Sequence, residues 1–482
     1  MSSDLGDLTR SETAERAPLK PPKSPLHNLS GLRVTILGLG LFSGGVATAR
    51  FFTTRGAQVT VTDMKTADLL QPSLDALAEL PINFVLGEHR EQDILNADLV
   101  VVSPAISDDN PFFRFAVAHG IPVTTEMNLV FERCKAPIIG VTGSNGKTTT
   151  TSLIGAICQA NDARSLVGGN IGKSLLNEID AVPADATVVL ELSSFQLHRL
   201  APINSSPTIA VVTNLSPNHL DWHGTFEAYT TAKQRIMQFQ KTDDVAVLNA
   251  DDPLLQEWGT VCRGRTLWFS VEKEVKAGAF VRDGSIVYRD TAREQVVCPV
   301  ETIQLPGRHN LANVLAAVTA CLAYGVSSDV LRPVIADFRG VAHRLEWVKE
   351  LTGVRYYNDS ASTTPESTII ALKAFHQPIL LIAGGYDKGI PFDDLAAEIA
   401  RRVKTAVLIG KTAETIEAAV RQVATAPPHL VQVATLTEAV TQCRNLARAG
   451  DVVVLSPACA SYDQFINFED RGNQFKGLVQ RL

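Results

Sequence analysis

Gly140-Val-Thr-Gly-Ser-Asn-Gly-Lys-Thr-Thr149 is the stretch whose reading decides the fold. The apolar run Pro137 to Val141 reads as a buried strand, and Thr150 to Gln159 carries a helical pattern. Strand, glycine loop and helix in that order make a phosphate cradle. Glycines let backbone N–H groups turn inward, and the helix start adds the positive end of its dipole. Lys147 is placed to reach terminal phosphates, and Thr148 to offer a hydroxyl to Mg²⁺. Gly143, Ser144, Asn145, Gly146 and Thr149 complete the expected nucleoside-triphosphate loop. Gly140 and Gly146 enclose five residues where the generic loop has about four, so the fit to that pattern is imperfect.

The 482 residues allow roughly two to four domains with large cores. Apolar content of 45% and charged content of 20% are ordinary for a globular protein. The 44 basic against 51 acidic side chains leave a net charge of −7, which argues against nucleic-acid and membrane-surface partners. No apolar run approaches a membrane span. Seven scattered cysteines without a C-x-x-C pair point to a reducing cytoplasm, and the expectation is a cytoplasmic monomer acting on small molecules. Residues 1–30, rich in Ser, Pro and charge, read as a disordered tail that is neither a secretory signal nor a transit peptide.

Three strand–loop–helix units predict an α/β protein of three domains. They are a Rossmann-like N-terminal domain (31–131), a central P-loop ATPase-type α/β domain (132–340) and a C-terminal Rossmann-like α/β domain (341–482). The first opens with Gly31-Leu-Arg-Val-Thr-Ile-Leu-Gly-Leu-Gly40, a helix from Val46 to Thr54 and a strand from Gln58 to Thr62 that ends at Asp63. Ser43 stands where a dinucleotide fingerprint has its third glycine, and Gly44 comes one position late. A nucleotide-diphosphate pocket and a Rossmann-like domain without ligand are both open readings. Later strands are expected at Asn83 to Leu86 and Asp98 to Val102, the latter running into Ser103-Pro104. In the central domain, strands Thr187 to Leu190 and Thr208 to Thr213 end at Glu191 and Asn214, and a second α/β stretch starts at Val245 to Asn249. The third domain has strands at Val354 to Asn358, Ile379 to Ala383, Ala406 to Ile409 and Asp451 to Ser456.

Polar groups at the carboxyl ends of parallel strands are where open α/β sheets bind ligands. Glu191 is a hard oxygen donor in such a place, and His219 and Asp221 lie just past another strand end. Lys233, read from the residues alone, is a solvated helical lysine. Thr363, Lys388, Lys411, Ser456 and Ser461 form a cationic and hydroxyl set suited to an anionic carboxylate, although a turn lysine such as Lys388 also reads as merely exposed.

These motifs, taken in order, resemble the Mur ligases. The carriers are Thr142 to Thr149, Gly168-Gly-Asn-Ile-Gly172, Glu191-Leu-Ser-Ser-Phe-Gln196, Asn218-His219, Ala232-Lys233, Gly307-Arg-His-Asn310 with Asn313, and His343-Arg344. Asn358-Asp-Ser360, Gly384-Gly-Tyr-Asp-Lys388 and Leu455-Ser-Pro-Ala-Cys-Ala-Ser461 continue the series, and Phe468-Glu-Asp-Arg-Gly472 resembles the D-glutamate-adding branch. The five-residue glycine interval is the version this family uses.

The resemblance implies an ATP-dependent ligase that phosphorylates the carboxylate of UDP-N-acetylmuramoyl-L-alanine. D-glutamate then attacks the acyl phosphate, a step of peptidoglycan precursor synthesis. It implies ATP and Mg²⁺ as cofactors, with Lys147, Glu191, His219 and Lys233 as the catalytic set. Thr148, Glu191, His219 and a carbamylated Lys233 would be the metal ligands. It places Asn310, Asn313, Arg344 and Asp359 at ATP beside the loop residues Gly143 to Thr149. It assigns Gly40, Ser43, Asp63, Ser103, Pro104, Asn170 and Ser193 to the UDP-substrate, and Thr363, Lys388, Ser461 and Phe468 to D-glutamate. Two positions depart from the family: Ala361 stands where a lysine is frequent, and Ala105 where a glycine is.

Within the class, the alternatives are ligases for L-alanine or a diamino acid and folylpolyglutamate synthase. The chain lacks the Asp-Asn-Pro-Arg motif of the diamino-acid branch, and its Rossmann-like first domain is superfluous for the synthase. A nicotinamide-dependent dehydrogenase is disfavoured by the broken third glycine. A noncatalytic nucleotide-binding regulator is disfavoured by the intact Lys147, Glu191, His219 and Lys233.

Overall fold

The computed structural model describes residues 28–41 and 43–482; most of the expected tail, and Phe42, lie outside the described residues. These residues form two compact units. One is built from the chain up to Ile138, Leu166–Thr208 and Pro217–Lys241, and the other from Ile139–Ser165, Ile209–Ser216 and Thr242–Leu482.

The first unit carries a parallel sheet in the order Ile82–Leu86, Gln58–Asp63, Arg33–Leu37, Leu99–Val102, Val123–Thr124. Val34, Ile36, Leu37 and Leu99 to Val102 are buried, as strands covered on both faces must be. The strand order reverses between Arg33–Leu37 and Leu99–Val102, so their carboxyl ends open the crevice where such sheets take ligands. The helix after the first strand runs Ser43–Thr53, starting three residues before the expected Val46. The same unit pairs Leu166–Gly169 with Val188–Glu191 in parallel, and it packs helix Ser194–Leu200 on helix Phe226–Gln238. Leu29, inside the expected tail, is buried.

In the second unit, strand Ile138–Thr142 pairs in parallel with Ile209–Val212, followed outward by Val245–Asn249, Arg265–Ser270 and Gly278–Arg282. The α/β stretch expected from Val245 onward then gives way to an antiparallel meander, Ser285–Arg289 and Glu294–Pro299. The cause is local. Asp283 and Gly284 take φ of 48° and 72°, a two-residue hairpin turn between Arg282 and Ser285. Helix Lys147–Asn161 follows the glycine loop, three residues earlier than expected, and packs on helix Arg308–Tyr324.

The unit's other sheet has the order Glu346–Leu351, Val354–Asn358, Val452–Leu455, Ile379–Ala383, Val403–Leu408, His429–Gln432. Neither edge strand, Glu346–Leu351 or His429–Gln432, was expected from the sequence; the first is antiparallel to its neighbour and the rest are parallel. All seven cysteines are free thiols. Among the described residues no helix is long and apolar enough to cross a membrane.

Candidate functional site

In the second unit the phosphate loop is held by its neighbouring strand end. Ser144 N–H donates to Asn214 O at 2.9 Å, Asn145 N–H to Asn214 Oδ1 at 2.9 Å, and Ser144 Oγ to Ser216 O at 2.9 Å. Glycine is required at both turns of the loop. A Cβ on Gly143 would overlap Thr213 Oγ1, and one on Gly146, where φ is 81°, would overlap Asn313 Oδ1. Lys147 Nζ folds onto its own loop, donating to the Gly143 and Ser144 carbonyls at 3.0 and 2.9 Å. Thr148 is half-buried in the first turn of the helix.

A cavity of about 350 Å³ adjoins the loop. Of the residues expected at ATP, Asn145, Gly146, Thr149, Asn310, Asn313, Arg344 and Asp359 line it; Gly143, Ser144, Lys147 and Thr148 do not. Asn313 Nδ2 donates to Asn310 Oδ1 at 3.2 Å, and Asn310 Nδ2 to Pro306 O at 2.7 Å, so the two amides are oriented from their own helix start. Burial pushes the Asp359 carboxyl up to about 6, against the pull of Ser362, Ser456, the Leu345 N–H and the Arg344 charge. Ser456 Oγ donates to its Oδ2 at 2.7 Å, and Leu345 N–H to its Oδ1 at 3.1 Å. His309 also lines this cavity. Burial drives its imidazole down to about 4, so it is neutral near pH 7. Its place in the Gly307-Arg-His-Asn310 motif was the available signal. Asn249, Ser362 and Ser367 were not singled out at all.

Still in this unit, Lys388 Nζ lies 3.4 Å from both the carbonyl and the hydroxyl of Thr363. Desolvation holds its ammonium below the ordinary lysine value. Ser461 is buried, and Phe468 opens helix Phe468–Gln480. Arg471, fully buried, ties these loops together: it donates to Ser360 Oγ at 3.0 Å, Ser360 O at 3.0 Å and Cys459 O at 3.1 Å.

The first unit has its own cavity, of about 440 Å³, at the carboxyl end of its sheet. Gly40, Ser103, Pro104, Asn170 and Ser193, all expected at the UDP-substrate, line it together with Ala105. Asp63 is placed otherwise. Its Oδ2 accepts from Leu39 and Gly40 N–H and its Oδ1 from Lys65 N–H, each at 2.9 Å, and it is absent from the lining. That carboxylate holds the glycine turn. Ser43 begins the helix after this turn. Ser193 caps helix Ser194–Leu200 in a reciprocal box with Gln196.

The first unit also contains Glu191, His219 and Lys233, while Lys147 belongs to the second. Glu191 ends its strand 2% exposed; Asn170 Nδ2 donates to its Oε1 at 2.9 Å, and its Oε2 is buried without a hydrogen-bond partner. His219 sits exposed at φ 53°, its ring 4.9 Å from that of Phe195. Lys233 corrects the solvated reading: it is 2% exposed, with Nζ 4.8 Å above the Tyr229 ring. No three His, Cys, Asp or Glu side chains gather into a metal-binding group among the described residues. The buried bare oxygen of Glu191 nevertheless fits a hard cation whose other donors are hydroxyls or a modified lysine.

Three family models match the chain in succession: Mur ligase MurD-like N-terminal domain over residues 32–125, Mur ligase middle domain over 141–321, and Mur ligase glutamate ligase domain over 343–459. The UDP-N-acetylmuramoylalanine--D-glutamate ligase of Symbiobacterium thermophilum is 44% identical over 93% of this chain and 98% of its own. That of Roseiflexus sp. is 44% identical over 94% and 99%. Among solved structures, UDP-N-acetylmuramate-alanine ligase from Thermotoga maritima shares the fold at TM-score 0.59 and 20% identity, covering 93% of this chain and 99% of that one. The MurF ligase of the same organism in complex with ADP does so at TM-score 0.57 and 18% identity, covering 95% and 100%.

Proposed function

The chain belongs to the Mur ligase family, and on that premise we propose that it is the ATP-dependent ligase joining D-glutamate to UDP-N-acetylmuramoyl-L-alanine, with release of ADP and phosphate. The observation that carries the site assignment is the buried, unpartnered Oε2 of Glu191. A buried carboxylate with one oxygen bare is suited to a cation that takes up that oxygen.

A carboxylate does not react with an amine at useful rates, because oxide is its leaving group. Transfer of the γ-phosphoryl group of ATP makes an acyl phosphate, from which phosphate can leave after the amine attacks. Gly143 to Thr149 bind the ATP phosphates through backbone N–H groups and Lys147, which gives up its loop carbonyls to meet them. Asn310, Asn313, Arg344 and Asp359 orient the nucleotide, with Arg344 serving phosphate and Asp359 the ribose. Thr148, Glu191, His219 and Lys233 as its carbamate would hold Mg²⁺, which supplies neutralisation of the phosphate charge. A carbamate turns the buried Lys233 from a cation into an oxygen donor. Gly40, Ser43, Ser103, Pro104, Asn170 and Ser193 bind the UDP-substrate, with Asp63 shaping the turn that carries Gly40. Thr363, Lys388, Ser461 and Phe468 form the D-glutamate pocket, where the Lys388 ammonium suits the amino acid's carboxylates. Domain limits of 31–131, 132–340 and 341–482, a cytoplasmic location and a monomeric state belong to the same reading.

Phosphate release from ATP, measured with UDP-N-acetylmuramoyl-L-alanine and each candidate amino acid in turn, tests it. Turnover should require D-glutamate, with L-glutamate inactive. Turnover driven by L-alanine or a diamino acid would overturn it.

A further inference from the structure

Among the twenty described residues lining the first unit's cavity, Glu126 is the only one with a titratable side chain, and none is lysine or arginine. The rest of its polar wall is neutral: Thr48, Ser103, Asn170, Ser174, Ser193 and Gln196. Glu126 is 9% exposed and opens helix Glu126–Arg133, whose cap is Thr125. Its Oε1 accepts from Ser174 Oγ. The charged groups on neighbouring elements are engaged elsewhere: Lys173 with Glu178, and Arg133 with Asp180. Burial raises the Glu126 carboxyl from its ordinary value, against the pull of the Ser174 hydroxyl.

A described lining without lysine or arginine that receives a nucleoside diphosphate holds the phosphates by backbone N–H groups and helix dipoles. An ionised acid on the same wall would oppose that ligand. We propose that Glu126 is a substrate-binding, specificity-determining residue that meets an uncharged hydroxyl or amide group of the nucleotide-sugar substrate as a neutral carboxylic acid. The proposal rests on the reading of this cavity as the UDP-substrate pocket. As an acid, Glu126 both donates and accepts, and Ser174 turns it toward the cavity. A substrate lacking the matching sugar group leaves a buried carboxyl unpaired and is rejected on that account.

The test is the KM for UDP-N-acetylmuramoyl-L-alanine as a function of pH in wild type, Glu126→Gln and Glu126→Ala. Wild-type KM should climb as pH rises and Glu126 ionises. Glu126→Gln, neutral and of the same shape, should keep KM low and flat. Glu126→Ala should raise KM about tenfold with kcat little changed, the loss of one buried hydrogen bond. A merely structural role would not flatten the pH profile in the glutamine variant. The same climb in Glu126→Gln, or wild-type KM in Glu126→Ala, overturns the proposal. Absence of turnover in wild type would instead count against the function, and calorimetric titration with UDP-N-acetylmuramic acid would then carry the same three-way comparison.

Discussion

The Asn170 amide donates to Glu191 Oε1 at 2.9 Å while Oε2 of the same carboxylate stays buried and unpartnered. The amide fixes the carboxylate's rotation, and the other oxygen is the one that would meet Mg²⁺. Asn170→Ala frees that rotation, and the Mg²⁺ concentration for half-maximal phosphate release should rise about 10–100-fold. An unchanged Mg²⁺ requirement would remove Asn170 from this role. Glu191→Gln should be inactive at any Mg²⁺ concentration.

Lys233 is buried against Tyr229 on helix Phe226–Gln238. A carbamate there would supply a negative oxygen that no natural side chain of the same reach can. Lys233→Ala should lose activity, and short carboxylates such as acetate should restore part of it by occupying the vacated space. Full activity in the alanine variant, or none restored by any carboxylate, would argue against the carbamate.

The burial of Lys233 shows where sequence reading stops. The buried face of its helix is Tyr229, Ala232, Lys233, Ile236 and Met237, so the spacing puts Lys233 on the inward stripe, and only the charge of its side chain led to the solvated reading. Strands were legible where parallel strands are continuous apolar runs: Val245–Asn249 and Ile379–Ala383 fall where the pattern puts them. The edge strand Glu346–Leu351 was not, because half-exposed alternation with charge looks like loop. The Asp283-Gly284 hairpin was legible in principle, since that dipeptide between apolar alternations is a hairpin signal. Asp63 was read as a ligand contact because an acid at a strand end is ambiguous; only its three N–H partners show a loop-holding carboxylate.

Gly146 combines two demands, φ of 81° and the contact with Asn313, whereas Gly284 has φ of 72° and open space around it. Gly284→Ala should therefore cost only the backbone strain, about 1 kcal/mol. Gly146→Ala must also displace Asn313, and should cost about 1–3 kcal/mol while raising the KM for ATP. Thermal unfolding of the two variants compares the costs; equal losses would mean that Asn313 moves aside freely.

Asp359 makes stability depend on pH. Its folded pKa of about 6 lies above the ordinary 3.8 because burial opposes ionisation more than Ser456, Ser362 and Leu345 favour it. The folded protein thus holds the proton longer than the unfolded chain does. The carboxyl's stabilising share is complete below the unfolded value and is lost as pH rises through the folded one. The two-unit gap corresponds to about 3 kcal/mol. Asp359→Asn cannot ionise and keeps one acceptor oxygen for these donors. Relative to wild type it should gain stability, by up to about 3 kcal/mol, between about pH 4 and about pH 7.5, read from urea unfolding at both ends. A difference that stays constant over that range would mean that Asp359 ionises at its ordinary pH. The same variant should raise the KM for ATP, because an amide meets the nucleotide without the charge that the carboxylate gains above pH 6.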